Sequence, residues 1–150
     1  MAKPIQSRIH FHYQVAPFYF PARTEVKIFL AAIFRKEKRK LKGLSYVFCT
    51  DNFLLGLNQQ FLQHDTLTDI ISFELSLKDQ DVEGEIYISI DRIRENATTF
   101  RSGFLNELHR VMIHGALHLC GYKDKSKKEQ ELMRSMEDKY LGLLNVSRGT

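Results

Sequence analysis

The sequence predicts an α+β fold in which a small mixed four-stranded sheet packs with about five helices. Three observations carry this prediction. Four short β-rich segments are mixed with helical patterns without alternating strictly with them, which favours helices on a small sheet over a regular βαβ succession. Apolar residues recur at helical spacing in several of the other segments. No repeat, low-complexity tract or Pro/Gly/Ser-rich linker interrupts the 150 residues, so 1–150 read as one domain, long enough for a real hydrophobic core.

In chain order, RIHFHYQV at 8–15 alternates apolar and polar side chains like a half-buried strand, with His10 and His12 on its polar face. Thr24 can cap a helix running through TEVKIFLAAIFRKEK, whose stripe is Val26, Phe29, Leu30 and Ile33. Gly43 is expected to end it, and LSYVFCT supplies a second strand. Asp51 or Asn52 can cap a short helix through FLLGLNQQFL. TDIISFELSL at 68–77 is a third strand, and KDQDVEG a turn. EIYISI at 85–90 is the fourth strand, with Ile86, Ile88 and Ile90 on one face. Helices are expected over DRIRENATTF, over 103–120, and over 126–143 with Leu132, Met136 and Tyr140 as the stripe. Ser72 and Thr68 are expected to satisfy backbone groups near the sheet edge.

The composition, 43% hydrophobic and 27% charged, is that of a soluble globular protein. No stretch approaches the roughly 18 consecutive apolar residues of a membrane span, and MAKPIQSRIHFHY has no apolar secretory core. Cys49 and Cys120 make no disulfide framework, which suits a reducing cytoplasm; Cys120 is read as core packing. The net charge of +4 owes much to RKEKRKLK at 35–42, which reads either as a solvated helix end or as a phosphate-contacting patch.

The segment GFLNELHRVMIHGALHLCG is apolar nearly all round, as a buried helix is. Into it the sequence places His114 and His118 at i and i+4, one turn apart on one face, where both imidazoles can meet one ion. Gly121 can end the helix in a left-handed turn that returns Asp124 to the same point. Two histidines and a carboxylate leave a fourth position open, as catalytic zinc sites do. The helix is therefore like the zinc-site helix of metalloproteases, except that their general-base glutamate is replaced here by Gly115.

The same residues carry a resemblance. HGALHLCGYKD is similar to the HGxLHLxGYDH pattern of the YbeY family, bacterial rRNA maturation factors described as metal-dependent endoribonucleases. LNQQFLQHDTLTDIISFEL at 57–75 resembles that family's LN…D…T(D/N)VLSF block, and GEIYIS at 84–89 its GDIxIS strand. The blocks keep their order and spacing from Leu57 to Met136, over half of the chain.

The resemblance implies a single-strand-specific, metal-dependent endoribonuclease in late-stage ribosome quality control and maturation of the 16S 3′ end. Its partners would be rRNA and the small ribosomal subunit, with no membrane, in the cytoplasm. It implies one Zn²⁺ per chain, or another divalent transition metal, on His114, His118 and Asp124. Two departures stand out. Asp124 replaces the family's third histidine, and Leu62 stands where the pattern has an arginine that would steady charge on the phosphoryl oxygens. Arg110 and His64 are the candidates to take over that cation's task. Glu107, two turns before His114, can orient an imidazole, and Lys123 is expected to face solvent. The nucleophile is left open between a water activated by the metal and the RNA's own 2′-hydroxyl. Two rivals remain: a non-catalytic ribosome-associated factor whose metal only pins the helix to the following loop, and a zinc metalloprotease.

Overall fold

The computed structural model describes residues 8–63 and 66–147. Its elements run β1 (Ile9–Tyr13), α1 (Arg23–Lys36), β2 (Leu41–Cys49), α2 (Asp51–Leu62), β3 (Ile70–Glu74), β4 (Val82–Ser89), α3 (Ile90–Thr99), α4 (Phe104–Leu119) and α5 (Lys127–Ser147). The sheet order is β1-β2-β4-β3, with β1, β2 and β4 parallel and β3 antiparallel on the edge. The fold is thus α+β, with a mixed four-stranded sheet and five helices, as the sequence predicts. Among the described residues no helix is long and apolar enough to cross a membrane.

Alternation sets the two faces of the sheet. Leu44, Tyr46 and Phe48 of β2 join Ile86 and Ile88 of β4 in the main core, together with side chains of α1, α3, α4 and α5. The opposite face carries Ile71 and Cys49, and α2 covers it with Leu54. Helix α4 is held on the sheet by the fully buried Tyr46, whose hydroxyl donates to the Met112 carbonyl at 2.8 Å. Gly115 lets α4 approach that closely: a Cβ there would lie 2.8 Å from Cδ1 of Ile86 and 3.0 Å from Cδ1 of Ile70. The glycine that replaces a protease glutamate is therefore a helix–sheet contact.

Several boundaries differ from expectation for local reasons. The Val26 amide already donates to the Ala22 carbonyl, so α1 starts before Thr24; Ala22, in a left-handed conformation, takes the cap position without a side-chain cap. The helix stops at Lys36, with Lys38 at φ 59°, and Gly43 lies inside β2 beside a register shift. The cap of α2 is Thr50, which accepts from the Phe53 amide at 3.2 Å. The Asp51 carboxylate is instead engaged by the Ser89 hydroxyl and the Arg92 guanidinium. Ile90 begins α3 rather than ending β4. In α5 the buried stripe is Met133, Glu137, Tyr140, Leu141 and Leu144, while Leu132 is exposed. His10 and His12 are exposed, as expected.

Candidate metal centre

The C-terminal half of α4 and the turn after it build the site. The helix ends with both bonds of a Schellman motif: the Tyr122 amide donates to the Leu117 carbonyl and the Gly121 amide to the His118 carbonyl, each at 3.0 Å. Gly121 takes φ 108°, a conformation that side chains rarely adopt. The reversal brings Asp124 back over the helix. Its Oδ2 lies 3.3 Å from His114 Nε2 and 3.2 Å from His118 Nε2. The three side chains present one ligand atom each, all within 4.8 Å of one another.

The second nitrogen of each ring fixes the first. His118 Nδ1 donates to the Tyr122 carbonyl at 2.9 Å, and a carbonyl can only accept, so in the neutral ring the lone pair lies on Nε2, the nitrogen next to Asp124. His114 Nδ1 donates to Glu137 Oε2 at 2.5 Å, with the same result. Tetrahedral ligands at zinc bond lengths of about 2.0–2.1 Å are spaced about 3.3 Å apart. The two histidine–aspartate separations already match that edge, so this donor set fits such an ion.

Glu137 is the orienting carboxylate, a role the sequence suggested for Glu107. It is buried on α5, accepts from His114 with one oxygen and from Arg110 at 3.2 Å with the other. Arg110 also pairs with Asp138 at 2.8 Å, so its guanidinium acts on the cluster through Glu137. Glu107 is buried in the wall of a cavity behind His114, shared with Asp69, Arg110, Arg134 and Glu137. Burial raises its pKa, and the nearby Asp69 carboxylate adds to the rise. His64 lies outside the described residues.

In front of the cluster is a cleft of about 610 Å³, large enough for a nucleotide-sized group. The edge strand contributes Ser72 and Glu74, α2 contributes Leu62, and the turn contributes Lys125 beside Asp124. Leu62, at the position where the resemblance expects arginine, is 45% exposed and borders the same cleft as the cluster. Thr68 bonds the Ile70 carbonyl, whereas the buried Ser72 hydroxyl has no partner among the described residues. Asp69 borders both cavities; burial raises its pKa and His114 opposes the rise. Lys123 is exposed and borders a separate depression. Cys120 takes no part: burial, with Glu37, pushes its thiol up to about 12.

Glu137 and Asp69 escaped the sequence reading. The available signal for Glu137 was a glutamate occupying an apolar-stripe position of α5; for Asp69 no metal-ligand spacing pointed to it.

Two measurable consequences follow from the Glu137 contact. Glu137→Gln keeps the shape but weakens the acceptor, and metal affinity is expected to fall roughly 10–100-fold, read by competition with a chromogenic chelator. The second concerns pH. Burial alone would lower the pKa of His114, but the Glu137 hydrogen bond and charge, with Asp124 and Asp69, outweigh it and the pKa is raised. In the protonated ring Nε2 also carries a proton, which an incoming metal must displace. Apparent affinity is therefore expected to decline on acidification starting above histidine's usual value of about 6.5, in titrations repeated across neutral pH.

A mixed sheet whose edge strand borders a cleft, floored by a buried helix with a His/His/Asp cluster that could hold a metal ion, defines an α+β protein with a candidate metal centre. Within that class the chain belongs to the YbeY family: the family model described as Endoribonuclease YbeY matches residues 18–145. It is 49% identical to an Endoribonuclease YbeY of Flavobacterium psychrophilum over 93% of this chain and 99% of that one. It is 45% identical to an Endoribonuclease YbeY of Cytophaga hutchinsonii over 92% and 96% of the two chains. The solution structure of TM1509 from Thermotoga maritima superposes with a TM-score of 0.64 at 29% identity, covering 93% of this chain and 90% of that one.

Proposed function

We propose that the protein is a single-strand-specific endoribonuclease that depends on one Zn²⁺, or another divalent transition metal, per chain. We place it in the cytoplasm, on rRNA of the small ribosomal subunit, in 16S 3′-end maturation and late-stage quality control. The observation that carries the reading is the convergence of His114 Nε2, His118 Nε2 and Asp124 Oδ2 at the floor of a cleft in a chain of the YbeY family. A metal bound there would supply Lewis-acid polarisation of a phosphate oxygen and would lower the pKa of a bound water. The protein's own part is positional. Glu137 and the Tyr122 carbonyl hold the two imidazoles in the ligand tautomer, and Lys125 puts positive charge at the cleft rim. No carboxylate base adjoins the cluster at position 115, which tells against peptide hydrolysis of the HExxH kind.

The uncharged Leu62 in the cleft wall favours a second reading, a ribosome-associated factor whose metal only ties the turn to α4. Cleavage of single-stranded and base-paired rRNA fragments, with and without a chelator, separates the two. The enzyme reading expects chelator-sensitive cuts confined to single strands. It also expects Leu62→Arg to raise the rate about tenfold or more by adding a phosphate-facing cation, with little change in stability at this exposed site. Absence of cleavage by both proteins, with metal bound, would leave the factor reading.

A further inference from the structure

A second cavity, apart from the metal cleft, gathers the basic run that follows α1. It measures about 600 Å³ and is bordered by Arg8, Arg35, Lys38, Arg39, Lys40 and Asp81 above a floor of core side chains. Five cations thus face one carboxylate. None of the five forms an ion pair among the described residues. Glu37, the acid within the run, is occupied elsewhere: it accepts from the hydroxyls of Tyr122 and Tyr140. Arg8 and Arg39 are anchored by the carbonyl oxygens of Leu41 at 2.8 Å and Cys120 at 3.1 Å, which position a guanidinium without neutralising it.

The backbone serves the same arrangement. Lys38 sits at φ 59°, the left-handed conformation that glycine takes at lower cost. The chain reverses there, and Arg35 before the turn and Lys40 after it border one cavity. Arg39 links the cavity to the metal centre's own turn: it borders the cavity and bonds the carbonyl of Cys120, while Asp124 and Lys125 further along that turn border the metal cleft.

We propose that this cavity is a second RNA-binding site, holding phosphodiester groups of a single strand whose reacting bond lies in the metal cleft. The inference rests on the ribonuclease reading above. Unpaired arginines and lysines are what a polyphosphate chain requires, and they attract it without regard to sequence. The floor offers no stacking surface, since Phe34 is fully buried, so the site reads charge rather than bases.

The test uses the full chain carrying Arg35→Ala, Lys38→Gly and Lys40→Ala, which spares the anchored Arg8 and Arg39. The probes are an unstructured oligouridine long enough to reach both cavities and one that fills the cleft alone. Affinity for the long probe is expected to fall about tenfold or more. The slope of log K against log salt should shrink by about 2, at roughly 0.7 per lost single-strand contact. Affinity for the short probe, bound metal and the saturated cleavage rate stay unchanged. Lys38→Gly alone controls for folding: its melting temperature should hold or rise while long-probe affinity drops. Long-probe affinity and salt slope equal to wild type would overturn the assignment and leave the cavity to an acidic protein partner. If wild type binds the long probe with this slope but cuts nothing, the ribonuclease reading falls and the cavity assignment stands. If wild type does not bind the long probe, the assignment falls.

Discussion

Replacing His114 and His118 together with alanine is expected to abolish metal binding, from about one ion per chain to near none, and to cut RNA cleavage about a thousandfold. A metal contributes several kcal/mol to stabilising charge on a reacting phosphate, and each ~1.4 kcal/mol is a factor of ten in rate. Both imidazoles contribute the only nitrogen donors of the three-atom cluster, so Asp124 alone cannot hold the ion. The fold should survive, because the Glu137 carboxylate left behind by His114 still accepts from Arg110. Elemental analysis, melting and cleavage assays on one preparation check all three statements. A double variant that keeps its metal would show that the ion is held elsewhere.

Gly115→Glu is expected to cost roughly 4 kcal/mol or more and to lower the melting temperature by about 10 °C or more, with no gain of proteolysis. The substitution recreates on paper the HExxH pattern of zinc proteases. In this fold the side chain would start 2.8 Å from Ile86 and 3.0 Å from Ile70, and would carry a carboxylate into apolar packing. Gly115→Ala separates the two effects. It gains up to about 1 kcal/mol of helix propensity but pushes into Ile86, which is 0% exposed, at an overpacking cost of about 1–3 kcal/mol. The net is expected to be a modest loss, seen in denaturant unfolding. A Gly115→Glu protein as stable as wild type would mean that α4 can lift from the sheet.

What could be read in the sequence was whatever is written at short range. His114, His118, Gly121 and Asp124 lie within eleven residues, and a helix followed by a Schellman turn dictates their convergence. The strands were visible as alternation, yet the order β1-β2-β4-β3 was not, because pairing is decided by packing between distant segments. Glu137 reaches His114 from 23 residues away, and only its place in the buried stripe of α5 marked it. Caps misled for a different reason. Thr24 has good capping chemistry, but the first helical bond forms at Ala22, and Thr50 at the strand end was already extended where Asp51 was not. The basic run 35–42 was legible as charge; that a left-handed lysine folds it around one cavity was not.

The placement of Glu137 also bears on how long the protein lasts. The groups that would grip or brace one ion come from α4, from the turn and, through Glu137, from α5. Binding only to the folded state would stabilise it by about 4 kcal/mol when free metal exceeds Kd a thousandfold. Depleting the metal would then loosen the C-terminal segment first, with faster amide hydrogen exchange across residues 120–147 while β2 and β4 stay protected. In a cell, degradation of this chain would follow the supply of its metal.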